Sequence, residues 1–158
     1  MGSTLKTILL AVVLSLVVPV TGKAEDIINQ VYISVGASNK GTTLEVGTTY
    51  TNPQELDRLF AFGGAYLNNG SCFALKYGIE PVEDSGLFIT GIAGLGLKNS
   101  KGLYPATDGR ILEREDTESS FLYGVGISYF TPKSPIVISV DYDNVRKVTG
   151  GIGLVWKF

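Results

Sequence analysis

Ser139 and Asp141 stand two apart in the run Ile136-Val137-Ile138-Ser139-Val140-Asp141, and with Ser128 they are where a serine nucleophile leaning on a carboxylate could be sought. Enzymes that cut or transfer acyl chains at membranes commonly move protons through imidazole, whose unperturbed pKa lies near neutrality. The 158-residue chain has no His. With no separate base or oxyanion donor in sight, Ser139 and Asp141 read as two positions on one face of a strand, and no catalytic residue is assigned. The single cysteine, Cys72, and the missing histidines exclude both a disulfide-stapled scaffold and a His/Cys zinc centre, so neither metal nor cofactor is expected. The glycines of Gly91-Ile92-Ala93-Gly94-Leu95-Gly96 are not followed by a helical pattern, which argues against a nucleotide loop. A formal charge of −2 provides no basic field for nucleic acid.

Two other groups of residues carry charge in a pattern. Glu45, Lys76, Glu80, Asp141, Lys147 and Lys157 are spaced so that, in strands, all would point the same way as the small residues around them. Isolated ions in a confined space are costly, so they are expected to pair, with Asp141 facing Lys147 across a hairpin turned by a three-residue loop at Asp143 to Val145. An ion path and a salt-bridged plug are both compatible with that set. The segment from Asn99 to Glu118 is the one long connection, dense in charge, with Lys101, Tyr104, Asp108, Arg110 and Arg114 as candidate contacts on an external loop.

The elements that must hold these residues are strands. After Gln30 the sequence alternates large apolar with small or polar residues, with segments at about 30–38, 42–50, 58–67, 71–80, 86–98, 119–130, 135–142 and 146–158. Turn-forming clusters such as Ser38-Asn39-Lys40-Gly41, Asn68-Asn69-Gly70 and Thr131-Pro132-Lys133 separate them. One face reads Val31, Ile33, Val35, Leu44, Val46, Thr48, Tyr50 and continues large and apolar to Trp156. The other is mostly Gly, Ala, Ser and Thr with the charges named above, relieved by Phe88, Ile92, Leu122, Val137 and Val155.

Eight antiparallel strands of this length close into a barrel, which removes unpaired edges. A lipocalin-like soluble carrier would put the bulky face inside; a membrane barrel puts it outside. The interior of an eight-stranded barrel only just admits side chains, which favours the small face inward and lipid outside. With the strands running alternately up and down, Tyr50, Phe60, Tyr77, Tyr129, Trp156 and Phe158 fall at one rim, and Tyr66, Phe73, Phe121, Tyr123 and Tyr142 towards the other. Two aromatic girdles are the expected result.

Ahead of the strands, Lys6, the apolar run Ile8 to Val20 and the small residues Gly22 and Ala24 have the form of a secretory signal peptide over 1–24. The run is too short for a spanning helix and is broken by Pro19. Residues 25–158 are then the exported barrel, mildly acidic once Lys6 and Lys23 are gone.

At the carboxyl end, Gly153, Trp156 and Phe158 in Gly153-Leu154-Val155-Trp156-Lys157-Phe158 resemble the terminal signal read by the outer-membrane assembly machinery, with Ile152 where that signal usually has a polar residue. Together with the signal peptide and the eight strands, the chain resembles the small bacterial outer-membrane barrels of the OmpA transmembrane-domain and OmpX class. The resemblance implies a closed, eight-stranded, antiparallel up-and-down transmembrane β-barrel in a Gram-negative outer membrane. It further implies delivery by periplasmic chaperones and the barrel assembly machinery, with outer-membrane lipid and lipopolysaccharide as surroundings. A monomer with a structural or surface role is expected, with weak binding through 99–118. A soluble ligand carrier and a lipid-modifying enzyme are the competing expectations.

Overall fold

The computed structural model describes residues 27–52, 55–105 and 109–157. The expected signal peptide at 1–24, Asp108 and Phe158 lie outside the described residues. Strands β1 (Ile27–Ser38), β2 (Gly41–Asn52), β3 (Glu55–Leu67) and β4 (Gly70–Ile79) are followed by the longer β5 (Leu87–Pro105) and β6 (Ile111–Phe130). The last hairpin is β7 (Ile136–Asp143) and β8 (Lys147–Lys157). Each strand pairs antiparallel with its sequence neighbour, and β8 returns to pair with β1, so the sheet is a closed barrel. Every strand in the wall is hydrogen-bonded on both sides, which satisfies its backbone without help from solvent.

The wall is oriented with its bulk outward. Ile33, Val35, Leu75, Ile89, Val125, Ile127, Val140, Ile152 and Leu154 are exposed, while the alternating positions between them are buried or, at Gly153, half-buried. A lipocalin-like carrier has the opposite arrangement. Val46 and Thr48 depart from the expected pattern. Register pairs them with outward Ile33 and Val31, yet both are buried. Next to a bulge between Ile28 and Gln30, the Thr48 hydroxyl donates to the Gln30 carbonyl at 2.9 Å and is drawn against the backbone.

Aromatic side chains sit at both ends of the apolar band. Tyr77, Tyr129 and Trp156 are exposed near the end where β1 starts, and Tyr66, Phe73, Phe121, Tyr123 and Tyr142 towards the opposite end. Phe62 stacks on Phe73 with centroids 6.4 Å apart, and Phe121 on Tyr123 at 6.2 Å.

The expected long loop is largely a ribbon. Pairing between β5 and β6 continues past Lys98↔Glu118 without a break to Pro105↔Ile111, so residues 99–105 and 111–117 project from the barrel as a two-stranded hairpin. The sequence hid this because the alternation of bulky and small residues reports a wall with lipid on one side. A ribbon with water on both faces has no such contrast.

Candidate functional site

Inside the barrel, two apolar plugs enclose a layer of charge. At the end where β1 starts, Tyr32, Leu59, Ala61, Phe88, Phe130, Val137 and Val155 fill the section. Phe130 makes edge-to-face contacts with Tyr32 at 5.2 Å and Phe88 at 5.3 Å. At the ribbon end, Ala65, Cys72, Ala74, Ile92 and Leu122 pack together with Leu67 and Val145. Cys72 is therefore a small packed side chain.

Between the plugs, Lys76 on β4 reaches two carboxylates. Its Nζ lies 2.7 Å from Glu45 Oε2 on β2 and 2.8 Å from Asp141 Oδ2 on β7. Tyr32 on β1 donates its hydroxyl to Glu45 Oε1 at 2.8 Å. Gly47 makes this possible: any Cβ there would collide with the Tyr32 ring, so glycine lets the ring lie against the β2 backbone. The cavity bordered by Glu45, Lys76, Ser139 and Asp141 measures only about 10 Å³, at the lower limit for one water molecule. Ser139 and Asp141, the serine and carboxylate with catalytic potential, are both buried in this enclosed layer, and Asp141 is held by Lys76.

The other expected lumen ions are elsewhere. Glu80 is buried but serves the β4–β5 connection, accepting the Gly86 N–H at 2.5 Å and the Ser85 hydroxyl at 3.2 Å. Lys157 is exposed at the mouth and donates to the Pro132 carbonyl at 3.3 Å. Lys147 does not meet Asp141. Register sets Asp141 opposite Thr149, and Lys147 opposite Asp143 with φ of 68°, which turns its side chain out of the lumen and leaves it exposed.

The reason is the turn. Asp143 Oδ1 accepts the N–H groups of Val145 at 2.9 Å and Arg146 at 2.6 Å, an Asx-type cap, and its Oδ2 accepts from Arg146 Nε at 2.6 Å. Asn144 docks the turn on β6, accepting from Tyr123 N–H and donating to the Phe121 carbonyl, both at 2.9 Å. Val145 is thereby folded over the ribbon-end plug, and Arg146 is the buried cation that sequence parity assigned to Lys147. An Asp with Arg three residues later was the available signal.

On the ribbon, Lys101 Nζ lies 3.8 Å from Glu115, both exposed. Tyr104 lays its ring over Gly102, where a Cβ would strike it, and donates to Asp116 Oδ2 at 2.5 Å. That hydrogen bond to a carboxylate holds the phenol's pKa above its ordinary value. Arg110 is exposed near the tip beside Gly109, and Arg114 lies opposite Gly102 by register. Leu103 and Ile111 expose apolar side chains at the tip.

With this geometry in view, comparison with solved structures gives an N-terminal β-barrel domain of OprF from Pseudomonas aeruginosa. The TM-score is 0.50 at 14% identity, covering 82% of this chain and 98% of that one. The fold is the same eight-stranded barrel. The Yersinia pestis outer-membrane protein Ail, in a phospholipid nanodisc, aligns with a TM-score of 0.46 at 17% identity over 82% of this chain and 99% of that one. Ail in complex with the heparin analogue sucrose octasulfate aligns at 0.41 and 13% identity, covering 83% and 97%. No protein-family model and no curated protein sequence matches the chain.

Proposed function

We propose that the chain is an exported, non-catalytic outer-membrane barrel that seals its own lumen and holds the β5–β6 ribbon outside the cell as a rigid contact surface. The observation that carries this is the pairing of an apolar exterior with a filled interior. A wall with Ile, Leu, Val and aromatic residues outward suits hydrocarbon, and the two girdles suit its interfaces. The two plugs and the ion layer leave no continuous water path among the described residues. They also keep Ser139 and Asp141 from any lipid substrate, which argues against an enzyme of the acyl-cutting kind.

On this reading residues 1–24 are the signal peptide and residues 25–158 the mature barrel. Gly153, Trp156 and Phe158 are presented to the assembly machinery after passage with periplasmic chaperones. The barrel works as a monomer among outer-membrane lipid and lipopolysaccharide. With the amino terminus on the periplasmic side, the ribbon end faces outward, and contacts are made through Lys101, Tyr104 and the tip.

The test is cell fractionation with refolding. The mature protein is expected in detergent-extracted outer membranes, with different electrophoretic mobility before and after boiling, and without discrete conductance steps in planar bilayers. Recovery in osmotic-shock fluid, or steady single-channel steps, would overturn the reading. Removing residues 100–117 is expected to leave insertion intact while abolishing surface contacts.

A further inference from the structure

We propose that the rim at the ribbon end binds the phosphate of a lipid headgroup, with Lys98 at the centre of the site. The proposal rests on the membrane reading above. Two open cavities, about 410 and 600 Å³, meet there and share Leu67, Asn68, Asn69 and Lys98. The first opens towards the barrel mouth and adds Lys40; the second opens along the outer wall and adds Tyr66 and Lys101. Neither is part of the buried ion layer.

The backbone around the site is fixed. Asn68 N–H donates to the Lys40 carbonyl at 2.8 Å, and Asn99 N–H to the Asn69 carbonyl at 2.8 Å, so the β1–β2 turn, the β3–β4 turn and the ribbon base are tied side by side. Lys40 and Lys98 are exposed and have no ion pair among the described residues; Glu118 stands across from Lys98 in register. Lys101 is partly offset by Glu115, which also lines the second cavity. Clustered ammonium groups with adjacent Asn side chains offer donors to an anion with several acceptor oxygens.

The outer cavity also continues onto an apolar surface. Tyr66, 79% exposed, stands at its edge, and the stacked Phe62 and Phe73 lie further down the wall. A phosphate at Lys98 with acyl chains descending over these rings fits both surfaces. A free anion would use only the lysines. Each lysine near a charged headgroup contributes about a fivefold gain in affinity.

The full mature chain is refolded into phosphatidylcholine vesicles with a minor fraction of bisphosphorylated lipid A, or of the same glycolipid dephosphorylated. Thermal unfolding is followed by the mobility shift. The phosphorylated lipid is expected to raise the midpoint by several degrees, the dephosphorylated one not to, and the effect is expected to weaken with salt. Lys40→Gln with Lys98→Gln removes most of the gain, whereas Lys133→Gln at the opposite end retains it. Equal stabilisation by the dephosphorylated lipid, or a double variant that keeps the preference, overturns the site. Protection by inorganic phosphate alone overturns its assignment to a lipid. Failure to insert into plain phosphatidylcholine strikes the membrane reading itself, whereas insertion without preference strikes only this site.

Discussion

Lys76 and Lys101 each face a glutamate on another strand, and the two pairs differ in almost everything else. Lys76 is buried, 2.7 Å from Glu45 and 2.8 Å from Asp141, inside a wall that excludes water. Lys101 is exposed, 3.8 Å from Glu115, on a ribbon with solvent on both faces. An exposed pair is screened and loses side-chain freedom when it forms, so it contributes little. A buried cation between two carboxylates cannot be removed without stranding both. The same residue types therefore hold a core together in one region and add little to stability in the other.

The sharpest way to break this contrast is to delete the two cations. Lys76→Met should destabilise the refolded barrel by about 3–5 kcal/mol, because Asp141 is left buried, and Glu45 largely so, without their counter-charge. Denaturant titration in detergent measures it, and adding Glu45→Gln and Asp141→Asn should restore most of the loss. A cost as small as that of a surface substitution would mean that the layer is wet. Leu122→Ala in the ribbon-end plug should cost about 2–5 kcal/mol through the cavity it leaves.

On the ribbon the effects are smaller and local. Gly102→Val should push the exposed Tyr104 ring off the strand, a local shift at little cost to the barrel because the atoms it meets are the far end of a flexible side chain. It should appear as faster amide exchange in 99–117 with barrel unfolding unchanged. Tyr104 titrates above its ordinary value because its hydroxyl donates to the Asp116 carboxylate, whose charge opposes loss of the proton. The associated stabilisation is complete below the ordinary tyrosine pKa of about 10 and is lost as pH rises through the elevated one. Ribbon amides should therefore loosen only in strong alkali, and Tyr104→Phe should abolish that pH response. Lys101→Ala should change stability by no more than about 0.5 kcal/mol.

The two regions also differ in how legible they were. Alternation along β4, from Cys72 to Ile79, is nearly perfect in both sequence and burial, because each residue faces either lipid-like surface or packed interior. Strand number, facing and girdles follow from such runs. Lys76 meeting Glu45 and Asp141 needs the stagger of three strands far apart in sequence, which parity cannot supply. Lys147 failed because one left-handed residue at a turn breaks the alternation that parity assumes, and the cap formed by Asp143 puts Arg146 inside instead. The ribbon was invisible for lack of an apolar face, although register sets Lys101 across from Glu115 and Lys98 across from Glu118, of which Lys101 and Glu115 close to an ion pair.

The chain contains a single tryptophan, Trp156, 48% exposed on the outer wall. That makes the orientation of the wall directly measurable in the unmodified protein, by tryptophan fluorescence after refolding into vesicles with brominated acyl chains. If the bulky face meets hydrocarbon, emission is blue-shifted, strongly quenched by the brominated lipid and little affected by aqueous iodide. Emission quenched by iodide and indifferent to bromine would contradict it.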